Sequence, residues 1–155
     1  MRKGLNPCEM PPTRSRELAA PCENAPARVN LKSLPGVLRS RVGYTGGDTP
    51  APTYHSVCRG DGHIEAVRIE FDPDVLPYES LLALFLSERH TKKAKRQYSS
   101  AVWTHDKAQL AAASAAISAR GLEGVVTVYQ PSEWHDAEEY HQDYYAKNSG
   151  ASCPR

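Results

Sequence analysis

Long apolar stretches are missing from this chain: no run approaches the ~18 residues of a membrane span, so no membrane insertion is expected. The N-terminus lacks an apolar h-region, which argues against a secretory signal peptide. Glu9, Glu17 and Glu23 interrupt the basic residues that a transit peptide would concentrate. A cytoplasmic or organellar, reducing compartment is the expectation. The formal net charge is only +1, so there is no global field to steer nucleic acid or a membrane surface, and neither is expected as a partner. The four cysteines, Cys8, Cys22, Cys58 and Cys153, include no CxxC pair, which leaves a thiolate zinc site without support. In a reducing compartment they read as redox or nucleophilic thiols rather than as a disulfide framework. No internal repeat is evident.

What is present divides in two. Half of the twelve prolines fall within the first 35 residues, where no period of 2 or 3.6 is sustained. Residues 1–30 therefore read as an irregular or disordered leader, with a short helix expected from Pro26 to Leu34, ended by Pro35-Gly36. Residues 31–148 read as one domain, and 149–155 as a flexible tail. Within the domain, Val37–Tyr44 reads as a strand and 45–53 as a Gly/Pro-rich loop. His63–Asp72 alternates, with Val67, Ile69 and Phe71 on one face and Arg68 and Glu70 on the other. Leu76–Arg89 has a helical stripe of Leu81, Leu82, Leu84 and Phe85. Ser99–Thr104 is a strand, Asp106–Arg120 a helix closed by Gly121, and Val125–Gln130 a further strand. Asp136 with Glu139 makes a capping box for a last helix to about Lys147. Interleaved strands and helices of this kind specify an α+β domain with helices packed on a small sheet.

Glu65 is the most informative position. Alternation places it in register with Val67, Ile69 and Phe71, at the end of a buried row. Desolvation there favours the protonated carboxyl, which can act as a proton donor near neutral pH. The structural alternative is a strand-end Glu that reaches solvent or an Arg. Tyr54 and Tyr98 sit in polar surroundings where a phenol can hydrogen-bond an oxygen, although most tyrosines are half-buried packing residues. The glycines of Tyr44-Thr45-Gly46-Gly47 permit positive φ and close backbone approach to a ligand, or simply a turn. Without a following Lys-Ser/Thr they form no phosphate loop. Glu138-x-x-His141 has the spacing of a di-iron ligand pair, but it occurs once, and a surface helix is the simpler reading. Lys92-Lys93-Ala94-Lys95-Arg96 is a solvated basic loop. Cys22 precedes the expected Pro26 helix, a placement that lowers a thiol pKa. Cys58 reads as a small buried residue, and Cys153 lies in a tail mobile enough to reach another sulfur.

The order of these motifs carries more than any one of them. Gly43-Tyr44-Thr45-Gly46-Gly47, Pro52-Thr53-Tyr54, Gly62-His63-Ile64-Glu65 and Glu138-Glu139-Tyr140-His141-Gln142 together resemble the A-type peptide methionine sulfoxide reductases (the MsrA family). The resemblance runs from about residue 33 to 147, and the tail Gly150-Ala151-Ser152-Cys153-Pro154 is similar to the family's resolving-cysteine segment. It implies a ferredoxin-like two-layer sandwich of helices on a small mixed sheet, in a monomer. It implies thiol-dependent reduction of methionine S-sulfoxide, free or in proteins, through a cysteine sulfenic acid and a disulfide. No bound cofactor or metal is implied; thioredoxin, or dithiothreitol in its place, would be the external reductant. By position, Glu65 would protonate the sulfoxide oxygen, Tyr54 and Tyr98 would hydrogen-bond it, Cys22 would be the nucleophile and Cys153 the resolving thiol. Two stretches depart from the family pattern. Family members carry Gly-Cys-Phe-Trp-Gly where this chain has Pro21-Cys22-Glu23-Asn24-Ala25, and counting back from Tyr44 sets Cys22 one residue early. The first strand is accordingly expected to be missing or degenerate. The loop His90–Arg96 is also shorter and more basic than the family's. The alternative these departures raise is a catalytically impaired remnant that binds sulfoxide or methionine peptides without turnover.

Overall fold

Pairing, rather than side-chain pattern, makes the first strand. The structure, a computed structural model of the chain, describes residues 14–19, 31–87, 99–143 and 147. β1, Arg14–Ala19, lies between β3, Ile64–Phe71, and β4, Ser100–Trp103, antiparallel to both. This corrects the expectation of a missing or degenerate first strand, and with it the irregular reading of the leader over 14–19. Arg-Ser-Arg-Glu-Leu-Ala has no apolar alternation, so nothing in it signals a strand. A strand flanked on both sides has its backbone groups satisfied by its neighbours whatever its own residues prefer. The rest of the leader, most of the expected Pro26–Leu34 helix and the tail from 149 lie outside the described residues. Only the end of that helix is described, as a 3-10 turn at Leu31–Ser33.

The six strands of the described residues run β5-β4-β1-β3-β2-β6. β2 is Val37–Thr45, β5 Val126–Tyr129 and β6 Trp134–Asp136. Only β4–β5 is parallel, so the sheet is mixed; its inner four strands have the ferredoxin-like order β4-β1-β3-β2. The helices named among the described residues are α1, Tyr54–Cys58, α2, Tyr78–Ser87, and α3, Lys107–Ala119. The α+β class is therefore as the sequence specified. No helix of the described residues is long and apolar enough to cross a membrane.

The main core forms where Val67, Ile69 and Phe71 of β3 meet Leu81, Leu82, Phe85 and Leu86 of α2, and Ala113 and Ile117 of α3. The helical stripe differs from expectation at one position: Leu86 is buried and Leu84 only half-buried. Full burial of each such side chain contributes about 1.5–3 kcal/mol. Asp106 caps α3, accepting from the Gln109 amide at 2.8 Å, and Gly121 at φ +63° closes its end. On the opposite face Ile64, Ala66, Ala101 and Trp103 form a second cluster against Tyr129 and Trp134. Strand alternation thus sends Glu65 to the helix side and its neighbours Ile64 and Ala66 to the other.

Over the described residues 136–143, the expected last helix from Asp136 does not form. Asp136 ends β6 opposite Gly43, and its carboxylate accepts from Trp134 Nε1 at 2.7 Å and Arg41 at 2.8 Å. Committed to those donors, it caps nothing. A 3-10 turn, Glu139–His141, follows, and helical geometry is described again at Lys147, whose amide donates to the Asp143 carbonyl at 3.0 Å.

Candidate active site

Tyr44 and Glu65 are cross-strand partners at one end of the β2–β3 pair, and both point to the helix side. Beyond them the sheet is covered by α1 and by residues 137–142. Thr53 and Ser56 build the start of α1 as a reciprocal cap: the Ser56 amide donates to Thr53 Oγ1 at 3.2 Å, and the Thr53 amide to Ser56 Oγ at 3.0 Å. That places Tyr54 at the first helical position rather than in the loop the sequence indicated. The spacing Thr53-x-x-Ser56 was the available signal for this helix.

Residues 137–142 are fixed by Gln142, which is 4% exposed. Its side chain accepts from the Val42 amide at 2.9 Å and donates to the carbonyls of Val42 at 2.9 Å and Ala137 at 3.0 Å. The segment is thereby stitched to β2 like a short extra strand. Held so, Glu138 reaches inward: Oε2 accepts from the Tyr44 hydroxyl at 2.7 Å, and Oε1 from the Tyr54 amide at 2.8 Å. The His141 ring lies 4.7 Å from that of Tyr54, and its Nε2 is buried with no hydrogen-bond partner among the described residues.

The electrostatics follow from this packing. Glu65 is 7% exposed, and burial, with the negative charge of Glu138 second, pushes its carboxyl up to about 7. Burial would also raise Glu138, but the bonds from the Tyr54 amide and the Tyr44 hydroxyl outweigh it and hold Glu138 below the usual range. Of two nearby carboxyls, one keeps its proton near neutrality and the other stays ionised. Burial raises the Tyr44 phenol as well, reinforced by Glu138, so Tyr44 remains a hydrogen-bond donor. Burial lowers His141, against the pull of Glu138.

A second network holds the turn into β3. Asp61 accepts from the His63 amide at 2.9 Å, from its Nδ1 at 3.0 Å and from Ser56 Oγ at 2.5 Å. His63 is 1% exposed and packs so closely on Gly47 that an added Cβ there would sit 2.4 Å from Nδ1. Gly46 takes φ +84°. The glycines of the Tyr44-Thr45-Gly46-Gly47 stretch thus serve the turn and the histidine ring.

Glu65 and Tyr54 lie toward the same end of the sheet, linked through Tyr44 and Glu138. Tyr98, Cys22, Cys153 and the basic loop at 92–96 lie outside the described residues. Cys58 is half-buried at the end of α1. Tyr44 and Gln142 were not singled out as site residues from the sequence, and Glu138 only as half of a carboxylate–histidine pair; the contacts of Tyr44 and Glu138 with each other, and of Gln142 with Val42, span 94 and 100 positions. The described residues contain no group of three His, Cys, Asp or Glu side chains able to hold a metal, and both Glu138 oxygens are already engaged.

A family model described as peptide methionine sulfoxide reductase matches residues 24–155. The chain belongs to this family. It is 41% identical over 136 residues to the peptide methionine sulfoxide reductase MsrA of Streptomyces griseus, an alignment covering 76% of this chain and 61% of that protein. With the Brucella anthropi MsrA it shares 38% over 146 residues, covering 78% and 67%. The chain spans about three-fifths of the length of the first of these curated relatives. Among solved structures, the Saccharomyces cerevisiae protein Mxr1 in its reduced form superposes with a TM-score of 0.71 at 27% identity, over 91% of this chain and 89% of that one. Methionine sulfoxide reductase A of Corynebacterium diphtheriae, at 24% identity and TM-score 0.73 over 95% and 80%, shares the fold. Mxr1 has also been solved in complex with Trx2.

Proposed function

We propose that this chain reduces methionine S-sulfoxide, free or within proteins, to methionine. The observation that carries the proposal is Glu65: a buried carboxyl that keeps its proton near pH 7, at the sheet end where Tyr54 and Tyr44 also converge. A sulfoxide oxygen is a poor leaving group until protonated, and a desolvated carboxyl at that pKa is suited to supply the proton.

In the proposed step the Cys22 thiolate attacks the sulfoxide sulfur, and the oxygen, protonated by Glu65, passes to the cysteine sulfur. The S–O bond of the sulfoxide breaks and a new one forms on Cys22. Methionine sulfur gains two electrons; Cys22 loses two and becomes a sulfenic acid. Tyr54 and Tyr98 hydrogen-bond the oxygen as charge develops on it. Cys153 then condenses with the sulfenic acid, releasing water and forming a disulfide. A dithiol reductant, thioredoxin in the cell, reopens it.

The course of β1 supports Cys22 as the nucleophile. β1 runs antiparallel to β3 with Leu18 opposite Val67, so the chain leaves β1 at the end of the sheet where Glu65 lies. Cys22 is three residues beyond Ala19, a span of at most ~11 Å. The match of the family model from residue 24 onward supports placing the tail and Cys153 within the same domain. Glu65→Gln tests the reading. With dithiothreitol as reductant it is expected to lower kcat by about 10²-fold or more at pH 7 while the protein stays folded. Unchanged turnover would refute the assignment.

A further inference from the structure

We infer that Glu138 is a positioning residue: a single carboxylate that ties the first turn of α1 to Tyr44 of β2 and stands over the cross-strand neighbour of Glu65. The inference rests on the reductase reading for its purpose, but its geometry is independent of turnover. One oxygen takes the Tyr54 amide and the other the Tyr44 hydroxyl. Tyr54 is the first residue of α1, so this bond decides where its ring sits over the sheet end. Gln142, four residues on, anchors the carrier segment to Val42, two residues before Tyr44. The clamp therefore joins three chain segments, β2, α1 and residues 137–142, at one carboxylate.

Its charge matters as well as its shape. Among the described residues, the ionisable groups coupled to Glu65 are Tyr44 on β2, its cross-strand partner, and Glu138 on the covering segment. Tyr44 is held as a neutral donor, so Glu138 is the group whose negative charge opposes ionisation of Glu65. An acid that must enter the reaction protonated benefits from a fixed anion nearby. That gives Glu138 two separable effects, placing Tyr54 and keeping the proton on Glu65.

Glu138→Gln removes the charge and keeps an acceptor; Glu138→Ala removes both. The measurement uses the full chain labelled with ¹⁵N and carboxyl-¹³C glutamate, with Glu65 assigned by Glu65→Gln. In Glu138→Gln the Glu65 midpoint is expected to fall from about 7 by about half a pH unit or more, while Tyr54 amide exchange stays within about threefold of the parent. The falling alkaline limb of kcat should move to lower pH by the same amount, with KM little changed. In Glu138→Ala the midpoint falls likewise and Tyr54 exchange rises at least about tenfold. Should Glu138→Ala not fold, Tyr44→Phe replaces it: loss of that donor is expected to raise the Glu138 midpoint. An unchanged Glu65 midpoint in Glu138→Gln, or unchanged Tyr54 exchange in Glu138→Ala, overturns the inference. If these shifts occur in a chain that reduces no sulfoxide, the clamp stands and the reductase reading falls.

Discussion

Replacing Glu65 by glutamine should stabilise the folded protein, and by an amount that depends on pH. The Glu65 carboxyl has a pKa of about 7 in the fold against an ordinary 4.5. Below 4.5 both folded and unfolded chains hold the proton, and the group contributes nothing. Between 4.5 and 7 the unfolded chain ionises while the folded one does not, so stability falls as pH rises through this window. Above 7 the fold carries a buried carboxylate. A pKa difference of about 2.5 corresponds to about 3 kcal/mol. Glutamine has nearly the same shape and no charge, so Glu65→Gln escapes this loss at every pH. Urea unfolding followed by tryptophan fluorescence at pH 5, 6, 7 and 8 reads the difference. With a denaturant slope of about 2 kcal/mol per molar, the variant's midpoint should exceed the parent's by about 1.5 M at pH 8 and by only about 0.4 M at pH 5. Other titrating groups are common to both proteins and cancel. A difference in midpoint that stays flat from pH 5 to 8 would refute the argument that Glu65 is buried with its proton.

Three further substitutions test the architecture around that carboxyl. Gln142→Ala leaves the Val42 amide without its side-chain partner and frees residues 137–142; a loss of about 2–3 kcal/mol in urea unfolding is expected. Gly47→Ala drives a methyl into the buried His63 ring, and should cost about 1–3 kcal/mol and shift the His63 ring resonances. Phe85→Ala opens the main core between α2 and the sheet, and a loss of about 3–5 kcal/mol with the site's pH behaviour preserved is expected.

The parts of the fold legible in the sequence were those whose own residues face the core. β3 alternates because one of its faces packs on helices, so its extent and the inward turn of Glu65 followed from period 2 alone. α2 and α3 carry stripes and end signals, and were found within a few residues. β1 was illegible because its place is set by hydrogen bonds to β3 and β4, strands 45 or more positions away. The segment after β6 misled because Asp136 and Glu139 have cap spacing, yet Asp136 spends its carboxylate on Trp134 and Arg41. The same distinction divides the site. Glu65 and Tyr54 could be proposed from local pattern and from the motifs around them. Tyr44 and Glu138 meet across 94 positions, and only the folded chain brings them together.

The central claim is that this chain supplies both a thiol and a proton to a methionine sulfoxide. The most direct measurement is methionine release from each sulfoxide epimer with dithiothreitol as reductant, for the parent chain and for Cys22→Ser side by side. The account predicts turnover of the S epimer alone, abolished in Cys22→Ser. No turnover from well-folded parent protein, or turnover that survives Cys22→Ser, would contradict it.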